Sequence, residues 1–287
     1  MAGCRAKLQR AKDLKGELEH DIAAFAKANP VRITVEREET KRVFIFRAWD
    51  VAQPKKEWSL LLGDALHNGR AALDHLAYQL AMLHLGRELN DQEARKIQFP
   101  VSGTTQSFTS SRNKIQDLLR PGDLAHIELI QPYNQWDEAI WGPLLPPGPP
   151  APMPLYLNLL TGLDNFDKHR MLHPVWSSPA LSKGPEGEHQ LGITSMSTSD
   201  QPLEEGAEIG RWFFDRTPPE THNIADPSLF YPVHISLRSP HFGTRVGRIL
   251  DNCITAAELV LDMFEPCITT GSQPTSLPYW NTDQIEL

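Results

Sequence analysis

Cysteine is scarce in this chain of 287 residues: Cys4, Cys253 and Cys267 are the full complement. The number is odd and no C-x-x-C pair occurs, so neither a disulfide framework nor a thiolate metal or redox motif is available, and a reducing cytoplasm is the expected compartment. No apolar run approaches the roughly 20 residues of a membrane-spanning helix, so no membrane association is expected. There is no P-loop, no G-x-G-x-x-G and no G-x-S-x-G, which removes the sequence support for nucleotide-cofactor and hydrolase-elbow chemistry. No cofactor is expected. The formal charge of −8 argues against a general nucleic-acid coat and leaves room only for a local basic patch. One absence is local. From Trp58 to Gly86 there is no Lys and no Glu, although these residues most often decorate a solvated helix face.

A 40% hydrophobic content over this length is enough for a substantial core, and the expectation is a single α+β domain over residues 1–270 with a loose tail at 271–287. The opening residues hold Arg5, Lys7, Arg10, Lys12 and Lys15 against Asp13 alone and lack the apolar centre of a secretory signal, so they read as the start of a helix. Leu8, Ala11, Leu14, Leu18, Ile22 and Phe25 recur at three- and four-residue intervals, which predicts an amphipathic helix ended by Pro30. Alternation at Val31, Ile33 and Val35, a charged turn, and apolar residues from Val43 to Trp49 predict a hairpin.

A core helix is expected from Lys55 to Leu85, with Leu62, Leu66, Gly69, Leu73, Leu76, Leu80 and Leu83 as its apolar stripe. Beyond it come a loop and two shorter helices, 106–119 and 123–131, separated by Arg120-Pro121-Gly122. The proline-rich stretch 142–154 reads as an extended insertion. A second polar-ended helix begins after Pro154 and must stop by Pro174, and a closing helix is expected over 244–264. Three segments, QLGITSMST, EIGRWFFDR and PVHISLR, have strand character, and all three are expected to join the hairpin in one mainly antiparallel sheet.

The candidate chemistry lies on two helices. At about 100° per residue, Asp64, His67, Asn68, Arg70, Asp74 and His75 fall on an arc of about 160° opposite the leucine stripe. The segment DNFDKHR gathers Asp164, Asn165, Asp167, Lys168, His169 and Arg170 near the end of the other helix. Its cations suit a helix C-terminus. Asp164 and Asp167 project toward apolar neighbours and need partners, with Arg70 and Arg170 the obvious candidates. The polar face is open to three readings: a buried hydrogen-bonded seam, an active site, or a solvated surface. Metal binding is a weaker reading, because His67 and His75 stand eight residues apart, about 12 Å along the axis at roughly 1.5 Å per residue, and cannot share one ion.

The run Arg70-Ala71-Ala72-Leu73-Asp74-His75 is an R-x-x-x-x-H on a core helix, and in that it resembles the HEPN superfamily of bacterial RNases, toxins and defence proteins. GDALHNGRAALDHL with LDNFDKHR also resembles a group of bacterial proteins common in actinobacteria. Ala71 stands where HEPN sites usually carry a polar residue, and the strands are additional to the family's helical core. The resemblance implies a HEPN-like helical bundle with an accessory antiparallel sheet, acting as a metal-independent endoribonuclease or RNA-binding protein and working as a homodimer. His75 would then be the base for the 2′-hydroxyl, Arg70 the cation for the transition-state phosphate, and Asp74 an orienting group. His67, Asn68, Asp167, Lys168, His169 and Arg170 would line the RNA site. The alternatives are a non-catalytic interaction protein with an unidentified protein partner, and a metal-dependent hydrolase using the Asp and His groups.

Overall fold

The computed structural model describes residues 1–134, 153–178, 192–199, 201–218, 233–238, 243–272 and 274. The protein is α+β and mainly helical. In chain order its elements are α1 (Ala2–Ala28), β1 (Arg32–Glu38), β2 (Val43–Trp49), α2 (Glu57–Leu85), α3 (Asp91–Lys96), α4 (Thr105–Ile115), α5 (Pro121–Leu129), a 3-10 turn (Pro132–Asn134), α6 (Met153–His169), β3 (Pro174–Ser177), β4 (Ile193–Thr198), β5 (Glu208–Phe214), β6 (His234–Leu237) and α7 (Val246–Thr270). Among the described residues no helix is long and apolar enough to cross a membrane. Apart from Met153 and Pro154, which open α6, the proline-rich stretch lies outside the described residues. So does the tail, except for residues 271, 272 and 274.

The chain divides into two compact units. The first comprises residues 1–15, 62–170 and 250–287, and it is helical. Its core takes the stripe residues of α2, with Leu62, Leu66, Leu73, Leu76 and Leu80 buried, together with Phe99, Phe108, Leu157, Leu160, Leu163, Val260 and Phe264. Leu83, the last of the expected stripe, is instead exposed. The basic residues at the start of α1 are committed to structure. Arg5 pairs with Asp262 and Glu265, Lys12 with Glu258, and Lys15 with Asp251, so one face of α7 supplies a ladder of acids. Pairs this exposed are worth at most about 1 kcal/mol each, but they remove those cations from any free basic patch.

The second unit, residues 16–61 and 171–249, carries the strands. Its four-stranded antiparallel sheet has the order β1-β2-β5-β4, with Val35 opposite Phe46 and Phe44 opposite Trp212. β2 is apolar on both faces because it is central. Phe44 packs edge-on to Phe214 with centroids 4.8 Å apart, and Phe46 meets Trp212 at the same distance. The expectation of a single sheet is corrected here. β6 does not join the hairpin but pairs with β3 in a separate two-stranded sheet, Ser177 opposite His234. β3 itself, PVWS, was hidden behind Pro174, which the sequence marks only as a helix stop.

Two further departures have local causes. The expected loop after α2 contains α3, which buries none of its residues and is held by its cap: the Asn90 side chain accepts from the Gln92 and Glu93 amides while Glu93 accepts from the Asn90 amide. α7 runs past Pro266 to Thr270, six residues beyond the expected end. Thr269 and Thr270 donate their hydroxyls to the carbonyls of Glu265 and Pro266 across that last turn.

Candidate functional site

α2 and α6 lie side by side in the helical unit and run antiparallel. Positions 63, 67 and 69 of α2 meet positions 167, 164 and 160 of α6 in turn. Glycine permits this approach at two points. A Cβ at Gly69 would touch Leu160 Cδ1 at 3.5 Å, and a Cβ at Gly63 would lie 2.7 Å from Asp167 Cγ, closer than packed atoms tolerate. The carboxylate of Asp167 therefore lies against the α2 backbone. The two polar helices do face one another.

Their pairing differs from expectation. Arg70 and Arg170 are not the partners of Asp164. The Asp164 carboxylate, only 3% exposed, lies 3.2 Å from His67 Nδ1 through Oδ1 and accepts from Lys168 Nζ at 2.6 Å through Oδ2. His67 is 57% exposed and Lys168 49%, so a buried carboxylate sits behind two solvent-facing groups. The projection gave the direction of Asp164 correctly but not its height along the helix, and the height decides which basic group it meets. Arg170 instead lies over the Phe166 ring, 5.9 Å from its centroid. His169 and Arg170 are exposed at the helix end.

Arg70 is 92% buried by its remaining 8% exposure, and its contacts are internal. Its Nη2 donates to the Phe99 carbonyl at 2.6 Å and to Asp74 Oδ1 at 2.9 Å, and the Phe99 amide donates to the same Asp74 oxygen at 2.9 Å. The ion pair thus grips both main-chain polar groups of one residue, Phe99, and fixes the segment after α3 to α2. Arg70 Nη1 is buried without a hydrogen-bond partner among the described residues. Burial pushes the Asp74 carboxyl above its ordinary range, against the opposing pull of Arg70 and of the Phe99 amide.

His75 is exposed and makes no hydrogen bond or ion pair among the described residues. It opens on a cleft of about 670 Å³ that Asp74, Tyr78, Gln79, Gly3 and Ile97 help to line. A Cβ on Gly3 would lie 3.4 Å from His75 Nδ1, so the small residues at the start of α1 keep this wall close. Tyr78 and Gln79 were missed by sequence reasoning, although they stand three and four positions after His75, where helix neighbours are found. Asn68 is occupied on both sides: Nδ2 donates to the Asp64 carbonyl at 2.8 Å, and Oδ1 accepts from Lys7 at 3.4 Å.

The structure therefore splits the expected polar face. Asp74 and His75 share the cleft; Arg70 does not line it but is tied to Asp74; His67 is turned to α6 through Asp164; and Asp167, Lys168, His169 and Arg170 are not among the groups lining the cleft. Among the described residues no three His, Cys, Asp or Glu side chains gather closely enough to hold a metal ion. No family model matches the chain, and no curated protein or solved structure matches it either.

Proposed function

We propose that the protein binds single-stranded RNA in the cleft beside His75 and cleaves it without a metal, as the HEPN resemblance implies. The observation that carries this reading is an unengaged, exposed imidazole on a cleft wall, directly after an aspartate held by Arg70. His75 takes the proton of a ribose 2′-hydroxyl, the 2′-oxygen attacks phosphorus, the bond to the 5′-oxygen breaks, and the His75 imidazolium returns the proton to that oxygen, leaving a 2′,3′-cyclic phosphate and a 5′-hydroxyl. Arg70 acts here through Asp74 as a positioning residue, since its guanidinium is committed to Asp74 and to Phe99. Arg70 of a second copy is committed in the same way, so the cation that meets the transition-state charge is another basic group brought across a two-fold axis by the pairing that the resemblance implies. Tyr78 offers a ring on which a splayed base stacks.

One observation favours a second reading. The closed contacts of Arg70, Asp74 and Phe99 are what a structural seam requires, and they support a non-catalytic interaction protein. Incubation with single-stranded RNA in the presence of a chelator separates the two. The first reading expects 2′,3′-cyclic ends, intact DNA, a dimer by light scattering, and a loss of roughly 100- to 10,000-fold in rate for His75→Ala at the bond that His75 serves. A parent protein that neither binds nor cuts RNA leaves the second reading standing, and a monomer removes the proposed source of the cation.

A further inference from the structure

α2 presents a second imidazole whose surroundings are chemically more specific than those of His75. His67 Nδ1 lies 3.2 Å from the Oδ1 of a carboxylate that is almost completely buried, and the other oxygen of that carboxylate is held at 2.6 Å by Lys168. A carboxylate has no hydrogen to give, so the proton in this bond belongs to His67 Nδ1. The neutral ring must then carry its lone pair on Nε2, the nitrogen not engaged by Asp164. Because Lys168 fixes Oδ2, Asp164 cannot turn away, and its side chain is anchored within the core of the helical unit. An aspartate that fixes the tautomer and orientation of an imidazole is the arrangement that makes histidine an effective proton acceptor.

We infer that His67, backed by Asp164 and Lys168, is a proton-transfer group in its own right, about 12 Å along the axis from His75 and so out of reach of the same hydroxyl, and that its Nε2 accepts the 2′-hydroxyl proton of a second linkage of RNA lying along this side of α2. The substrate class rests on the RNA reading above; the orientation of His67 does not. The proton passes from the 2′-oxygen to Nε2, the new phosphorus–oxygen bond forms as the bond to the 5′-oxygen breaks, and the imidazolium returns the proton to that leaving oxygen. His67 touches the reacting hydroxyl, whereas Asp164 and Lys168 are positioning residues.

The aspartate has a distinctive substitution. In Asp164→Asn only one oxygen remains, and Lys168 must keep it because an ammonium cannot face an amide NH2. The amide NH2 then points at His67 Nδ1, which becomes an acceptor, and the proton moves to Nε2. The variant keeps its shape and loses its base.

The test combines nitrogen-15 NMR of the imidazoles in the full-length protein, at a pH where the rings are neutral, with single-stranded RNA cleavage in chelator. His67 should be the Nδ1–H tautomer in the parent and switch to Nε2–H in Asp164→Asn, and on an end-labelled strand the cuts that survive in His75→Ala should fall at least about 100-fold when His67→Ala or Asp164→Asn is added. An Nε2–H tautomer in the parent overturns the inference whatever RNA does. Surviving cuts that His67→Ala leaves unchanged overturn its catalytic part while leaving the RNA reading intact. A parent that cuts no RNA sinks the RNA reading and the role of His67 in it, while the tautomer still reports whether the proton-accepting orientation exists.

Discussion

Removing Arg70 tests whether the grip on Phe99 holds the fold or only decorates it. In Arg70→Ala, Asp74 keeps the Phe99 amide as donor but loses its cation, and the Phe99 carbonyl loses its bond to Nη2. Breaking a fully buried ion pair costs about 3–5 kcal/mol; the Asp74 side chain is 33% exposed and water recovers part of that, so about 2–3 kcal/mol is expected. At roughly 2–4 °C per kcal/mol for a chain of this size, the melting temperature should fall by about 4–12 °C. The effect also has a sign in pH. Burial already raises the Asp74 carboxyl in the folded state, so its favourable contribution is complete below the unfolded carboxyl range and is lost as pH rises through the raised value. Arg70 opposes that rise, and without it the folded carboxyl shifts further up. The cost of Arg70→Ala should therefore be largest near pH 7 and shrink toward about pH 4, where a protonated Asp74 needs no cation. In an Asp74→Asn background the cost should be smaller and flat with pH. Urea melts of the four proteins at both pH values close the cycle. An Arg70→Ala cost that is the same at both pH values and in both backgrounds would falsify the idea that the ion pair, and not the arginine's packing alone, anchors this segment.

Two other consequences follow from close packing. Gly63→Ala should destabilise by about 1–3 kcal/mol because its methyl group collides with Asp167, yet in an Asp167→Ala background the same change should become stabilising by up to about 1 kcal/mol, since alanine favours helix; thermal melts that show one sign in both backgrounds refute the contact. All three cysteines are buried, and burial pushes the thiols of Cys4, Cys253 and Cys267 up. A thiol reagent should therefore find none of them in the native protein and all three in denaturant, and rapid native labelling contradicts that burial.

The parts of the fold legible in the sequence are those with a repeating apolar signal. Leu62, Leu66, Leu73, Leu76 and Leu80 are buried as their spacing implies, and β2, apolar except for Arg47, is a central strand. α3 escaped because it has no apolar face at all; its capping residues Asn90 and Glu93 were the readable signature. β3 escaped because four residues of PVWS are too short to show alternation. At the site, the polar arc was legible but its partners were not. Helical projection supplies an angle, and Asp164 found His67 and Lys168 through axial height. Arg70 found a main-chain group 29 positions away, for which no side-chain pattern exists.

The absence of lysine and glutamate from Trp58 to Gly86 has a physical reason. Asp74 bonds directly to a main-chain amide at 2.9 Å while its neighbour Arg70 bonds the carbonyl of the same residue; a glutamate, one methylene longer, would displace the backbone it holds. Gly63 makes room for Asp167, a space that a larger residue would fill. His67 meets Asp164 with a rigid ring, where lysine would give up rotamer freedom to reach the same oxygen. Asn68 bonds the carbonyl one turn earlier and receives Lys7. These positions need short or stiff polar groups because their partners lie within one side-chain length of the helix. Composition thus marks how near the surroundings of α2 are, whereas Asp64, His67 and His75, the exposed members of the arc, mark where that enclosure opens. Any substrate that reaches this face of α2 must do so there, which is why the two imidazoles, more than Arg70, are the residues on which a test of function turns.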